Sequence, residues 1–201
     1  MDIYFPSCNL TKASKESSLK MRRFLKERMA VEGCCLYYNQ DFPKDNRALI
    51  VCQACRSNLE SKIPHENIIS LWEYIDELED FDFPNYGGIR MTLQDCFRDR
   101  HQENVHRAVR SLLTKMNIEI VEIENNRTKA DFCGTLHLEA DDVADPKISK
   151  LPEETQVALM TRYVEQYSTD VVVAYCNRCV AGIKMGGRNA IHIMDLLCKN
   201  L

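Results

Sequence analysis

Ten cysteines stand in 201 residues, and nine of them fall into two copies of one order. The first copy reads Cys8, then the adjacent pair Cys34-Cys35, then Cys52-Gln53-Ala54-Cys55. The second reads Cys96, then Phe132-Cys133-Gly134, then Cys176-Asn177-Arg178-Cys179. A Cys-x-x-Cys that opens a helix sets two sulfurs on one side, near free backbone N–H groups and the positive end of the helix dipole. Both favour the thiolate, which is the form that binds metal. Adjacent cysteines in a strand point to opposite faces, so Cys34 and Cys35 share a site only if the chain turns there, and Gly33 permits a turn. Five thiolates exceed what one tetrahedral zinc accepts and suit a multinuclear iron–sulfur centre. Zinc, inert core thiols, and a Cys52/Cys55 pair cycling as a disulfide are the competing readings. Cys198, on an apolar stripe with Met194, reads as a core thiol.

The elements that must position these thiols alternate in type. Ala48-Leu49-Ile50-Val51 and Val171-Val172-Val173-Ala174 read as buried strands, Ile3-Tyr4-Phe5 is a short apolar run, and these three and residues 89–93 each lead to a cysteine. Helical spacing appears at 17–29, at Ile68, Leu71, Trp72 and Ile75, and at 155–167. It is clearest through Val105, Ala108, Val109, Leu112, Leu113 and Met116. Residues 118–123 alternate as a strand. Strands alternating with helices imply an α/β fold with mainly parallel sheets and right-handed crossovers, whose sites gather at the carboxyl ends of strands. The expected architecture is two Rossmann-like half-domains related by pseudo-two-fold symmetry. The polar, glycine-containing stretch 79–88 divides them into a first cysteine-rich repeat, 1–84, and a second, 85–201. Residues 139–154 read as a surface excursion.

Composition narrows the partners. A net charge of −4, with 28% charged residues and no long run of one sign, offers no nucleic-acid footprint. No segment approaches the ~18 apolar residues of a spanning helix, so no direct membrane insertion is expected. The opening residues Met1 to Pro6 show no basic n-region or apolar h-region. A cytoplasmic location with reduced thiols is therefore expected.

The layout resembles the cysteine-rich (CCG) domain family, which occurs as a tandem pair in the disulfide-handling component of heterodisulfide reductases. The resemblance rests on Asp95-Cys96-Phe97-Arg98, the long helix after it, Asn126-Arg127, Phe132-Cys133-Gly134, and the strand leading to Cys176 and Cys179. It implies iron–sulfur ligation by Cys8, Cys34, Cys35, Cys52 and Cys55 in the first repeat and by Cys96, Cys133, Cys176 and Cys179 in the second. The implied cofactor is one [4Fe–4S] cluster or two, with a noncubane form at the first site and zinc as the alternative. Phe132 stands where the family's second repeat has the first cysteine of its pair, which leaves four thiolates, enough for a cubane cluster or one zinc. Leu36, rather than glycine, follows the first pair.

The function implied is electron transfer or disulfide reduction, as an oxidoreductase component fed by an electron-donating iron–sulfur protein or flavoprotein and acting on a small disulfide. The alternative is a zinc-binding or metal-free assembly module of a redox complex. Among other polar residues, His101, His106 and His137 are candidate ligands or proton donors near the second site; His137 is the candidate for the lost ligand, and His106 reads as solvated. His192 reads as structural and His65 as a loop residue. Arg98, Arg100 and Arg127 read as surface cations able to offset cluster charge.

Overall fold

A computed structural model describes residues 1–140, 143 and 145–201. The chain divides into two compact units, Met1–Pro84 with Leu197–Leu201, and Asn85–Leu196. The final five residues thus group with the first unit, whereas the sequence division carries them with the second half. Their anchors are local: the buried Cys198 thiol donates to Ser17 O at 3.4 Å, and Lys20 Nζ donates to Cys198 O at 3.2 Å.

In the first unit, β1 (Asp2–Phe5), β2 (Ala30–Val31), β3 (Arg47–Ile50) and β4 (Ile68–Ser70) form one all-parallel sheet in the order β2-β1-β3-β4. Helices α1 (Cys8–Ala13) and α2 (Lys15–Lys26) link β1 to β2, α3 (Gln53–Leu59) follows β3, and α4 (Leu71–Glu77) follows β4. Tyr4, Phe5, Ala48 and Leu49 are wholly buried although neighbours point to opposite faces. The sheet is therefore covered on both sides, which is why its central strands read as unbroken apolar runs. One face carries Ile3, Phe5, Ala48, Ile50 and Ile68, packed with Leu59, Ile63, Cys35 and Cys55. Ser70 starts α4 with a reciprocal cap: its hydroxyl accepts from Trp72 N, and Glu73 accepts from Ser70 N. Ile68 belongs to β4 instead of the helix its spacing suggests.

The second unit repeats the plan. β5 (Ile89–Gln94), β6 (Ile118–Glu122), β7 (Val171–Ala174) and β8 (Asn189–His192) make an all-parallel sheet in the order β6-β5-β7-β8. α5 (Glu103–Lys115) joins β5 to β6 and buries the expected stripe from Val105 to Leu113. α6 (Glu153–Tyr163) precedes β7, α7 (Asn177–Met185) joins β7 to β8, and α8 (Ile193–Leu197) follows. Numbered within its unit, each sheet runs 2-1-3-4, so the repeat seen in the cysteines is also a repeat of topology. The fold is α/β with two Rossmann-like half-domains.

Candidate metal centre

In both units a central strand ends and a Cys-x-x-Cys begins the next helix. β3 ends at Ile50 and Cys52 is the N-cap of α3; β7 ends at Ala174 and Cys176 is the N-cap of α7. Both N-cap residues have extended backbone, which turns the chain from strand to helix and places Cys55 and Cys179 in the first turn. The other central strand of each sheet, β1 or β5, ends shortly before Cys8 or Cys96.

In the second unit, Cys96, Cys133, Cys176 and Cys179 converge, with all four sulfurs within 4.8 Å of one another. Cys96 Sγ lies 3.5 Å from Cys133 Sγ, which lies 3.8 Å from Cys176 Sγ. Cys96, Cys133 and Cys179 are buried, and Cys176 is half-buried. Hydrogen bonds from Cys133, Cys179 and Cys96 draw the Cys176 thiol well below its ordinary range. Hydrogen bonding to Cys133 and Cys176 pushes Cys96 up, and burial pushes Cys179 up. The surroundings thus favour the thiolate of Cys176, and four soft sulfur donors suit zinc or iron.

Each sulfur-bearing segment is fastened in place. Cys96 N donates to the Tyr175 hydroxyl at 3.1 Å, and that hydroxyl donates to Asp95 Oδ1 at 3.2 Å. Asp95 also accepts from Arg127 N at 2.8 Å, holding Arg127 at φ 51°, a left-handed backbone that non-glycine residues seldom adopt. Burial opposes the Asp95 charge, but hydrogen bonds and charge from Arg110 outweigh it and keep the carboxyl below its usual value. Phe132 stacks on Tyr163 with ring centroids 4.1 Å apart, and its carbonyl accepts from Phe97 N at 3.0 Å. Gly134 has φ +55° and meets α7 directly: a Cβ there would lie 2.1 Å from Arg178 O. Sequence reasoning misses Asp95, Tyr175 and Gly182 as parts of the site. Asp95 stands in the motif that carries the resemblance, without a role assigned to it, and only nearness in the chain to Cys176 and Cys179 points to Tyr175 and Gly182.

His137 does not replace the missing cysteine. Its ring stacks on Phe97 and its Nε2 sits 3.1 Å from Glu139 Oε1, while its carbonyl accepts from Cys133 N at 2.7 Å. His106 corrects the solvated reading, since it is buried against the Asp95–Arg110 pair. His192 is buried at the end of β8, where Nδ1 accepts from Met194 N at 3.1 Å. His101 and Arg98 are exposed, as is His65, which lies 3.8 Å from Glu60. Arg100 lies over the Phe97 ring and pairs with Glu139, and Arg127 pairs with Glu122.

The first unit arranges its five cysteines differently. Cys52 and Cys55 sulfurs are 3.7 Å apart, Cys35 neighbours Cys55 and Cys34, and Cys34 neighbours Cys8. Among the described residues, they form a string instead of one mutually adjacent group. Ser7 Oγ lies 3.4 Å from Cys52 Sγ, and Asn58 Nδ2 donates to Cys35 Sγ at 3.5 Å. A hydrogen bond from Cys55, opposed by burial and aided by Asn58 and Cys34, brings the Cys35 thiol down to about 6. Burial and the neighbouring Cys34 raise Cys8, although it is the exposed member of the set. The turn that parts Cys34 from Cys35 is a 3-10 turn, Cys35–Tyr37, and Gly33 keeps φ outside the left-handed region.

No protein-family model matches the chain, and no curated protein matches it significantly. The chemistry of the donor set therefore carries the functional reading. Cys198 is a buried thiol, as its apolar stripe suggests, and no helix among the described residues is long and apolar enough to cross a membrane.

Proposed function

We propose that this chain is a metal-binding redox protein similar to the CCG component of heterodisulfide reductases. It takes electrons from an iron–sulfur or flavoprotein partner and delivers them to a small disulfide. The observation that most supports metal binding is the convergence of Cys96, Cys133, Cys176 and Cys179, which lie far apart in the chain, at the carboxyl ends of β5 and β7. The redox reading draws on the first set, whose five sulfurs exceed the needs of one zinc. Cys8, Cys34, Cys35, Cys52 and Cys55 would hold an iron–sulfur cluster there, which supplies one-electron chemistry when bound. The residues around it hold and expose the ligands. Ser7 and Asn58 hydrogen-bond the Cys52 and Cys35 sulfurs, the kind of contact that tunes a cluster. Cys8 is exposed and Cys34 half-buried, so a substrate sulfur can approach that side.

A zinc-binding assembly module is the second reading, favoured by the burial of the second set. Anaerobic purification with iron, acid-labile sulfide and zinc analysis separates the two. The redox reading expects a coloured protein whose iron signal is abolished by Cys34→Ser. A colourless protein with zinc and no sulfide would end it.

A further inference from the structure

We infer that the second unit takes a single tetrahedral divalent ion instead of a multinuclear cluster, so that the two repeats carry different metals. The inference rests on the metal-binding reading above and departs from the paired clusters that the family resemblance implies.

Sulfur spacing favours one ion. Metal–sulfur bonds of ~2.3 Å in a tetrahedron put the sulfurs ~3.8 Å apart. The separations of 3.5 and 3.8 Å, within a group no wider than 4.8 Å, match that figure. In a cubane cluster each thiolate binds a different iron, so the inorganic core lies between the sulfurs and drives them further apart.

This pocket also resists widening. Cys176 and Cys179 ride on α7, and Cys133 rides on the 132–134 segment pressed against it. A Cβ on Gly182 would lie 2.5 Å from Gly134 Cα and 2.9 Å from the Phe132 ring, so backbone and ring are already in contact. Drawing the sulfurs apart separates that contact, the Phe132–Tyr163 stack and the Cys133 N to His137 O bond. Cys96 is held independently by Tyr175 and Asp95. Close-packed interiors resist such expansion.

Coordination number points the same way. Phe132 is wholly buried where a fifth thiol would enter, and three of the four sulfurs belong to buried residues. A closed four-sulfur site is the form of structural zinc, without an open position for substrate. The ion would clamp α7 to the ends of β5 and β7, and electrons would pass through the first unit alone.

The test compares the anaerobically purified full chain with Cys176→Ser and Cys34→Ser by zinc, iron and sulfide analysis. Cys176→Ser is expected to lower zinc from about one per chain to below about a tenth, with iron and sulfide unchanged. Cys34→Ser should do the reverse. Loss of about half the iron and sulfide in Cys176→Ser would reveal a second cluster and overturn the inference while leaving the redox reading intact. Zinc lost with Cys176 from a chain that never holds iron would sustain the single-ion site in the second unit but end the redox reading, and with it the division of two metals between the repeats. Should Cys176→Ser aggregate, the wild-type chain decides. X-ray absorption at the zinc edge must show four sulfurs and no metal–metal scattering, and a site without zinc or with mixed metals refutes the proposal.

Discussion

The carboxylate of Asp95, wholly buried, is clasped by both terminal nitrogens of Arg110: Nη1 donates to Oδ1 at 3.2 Å and Nη2 to Oδ2 at 2.6 Å. Arg110 divides itself between this partner and Glu122 on β6, at 2.7 and 2.8 Å. Asp95→Asn leaves a mostly buried guanidinium short of charge, and breaking such a pair costs about 3–5 kcal/mol. Urea denaturation of the second unit should show that loss. A change under about 1 kcal/mol would mean the pair is solvent-screened in practice.

Removing the Tyr175 hydroxyl tests the other side of this carboxylate. Tyr175→Phe leaves Cys96 N without its acceptor inside a closed core, at a cost of about 1–3 kcal/mol. Because that N–H fixes a cysteine of the proposed metal site, metal affinity should fall about 10–100-fold, as for other residues that orient ligands. Competition with a chelator of known affinity measures it. Lost stability with unchanged affinity would assign Tyr175 to the fold alone.

Glycine substitutions should separate backbone demand from mere composition. Gly134→Ala combines a left-handed φ with a Cβ placed on Arg178 O, and should cost more than about 3 kcal/mol or abolish metal retention. Gly33→Ala meets nothing within 4 Å and should change stability by less than about 0.5 kcal/mol. Thermal melts of both variants suffice, and equal effects would refute the contrast.

Acid should weaken the second unit in two stages. Burial holds the His106 pKa below its ordinary 6.5, so the folded chain keeps the ring neutral. Its contribution is fully present above 6.5 and is lost as pH falls from there toward the folded value. His192, lowered by burial, adds the same sign. Asp95 is held below 3.8, and its contribution is lost only as pH drops beneath that. His106→Gln should make the stability profile shallower just below pH 6.5, with the His192 share and the lower limb left in place. An unchanged upper limb would show that another group titrates there.

The strands read most readily from the sequence, β1, β3, β5 and β7, are the central pair of each sheet; β1, β3 and β7 carry apolar runs buried on both faces, while β5 interleaves Arg90, Thr92 and Gln94 with its apolar residues. The edge strands are less legible. Ala30–Val31 is too short to show a period, and Ile68 lies where strand passes into helix without a break. Both Cys-x-x-Cys helix starts are visible because their chemistry and their local geometry coincide. The rest of the centre depends on contacts distant in sequence. Nothing in α5 marks His106 as buried, since Asp95 arrives from the end of another element, and nothing near Phe132 announces the Tyr163 ring beneath it. Gly33 suggests a turn that the chain makes two residues later, at Cys35, with ordinary backbone angles.

The two sheets share one strand order. Each 2-1-3-4 sheet is held by apolar side chains, with Cys35 and Cys55 as part of that packing in the first unit and the wholly buried Phe132 ring next to Cys133 in the second. One strand order can therefore carry two different sets of side chains at its strand ends, a four-sulfur cluster in one unit and a five-cysteine string in the other.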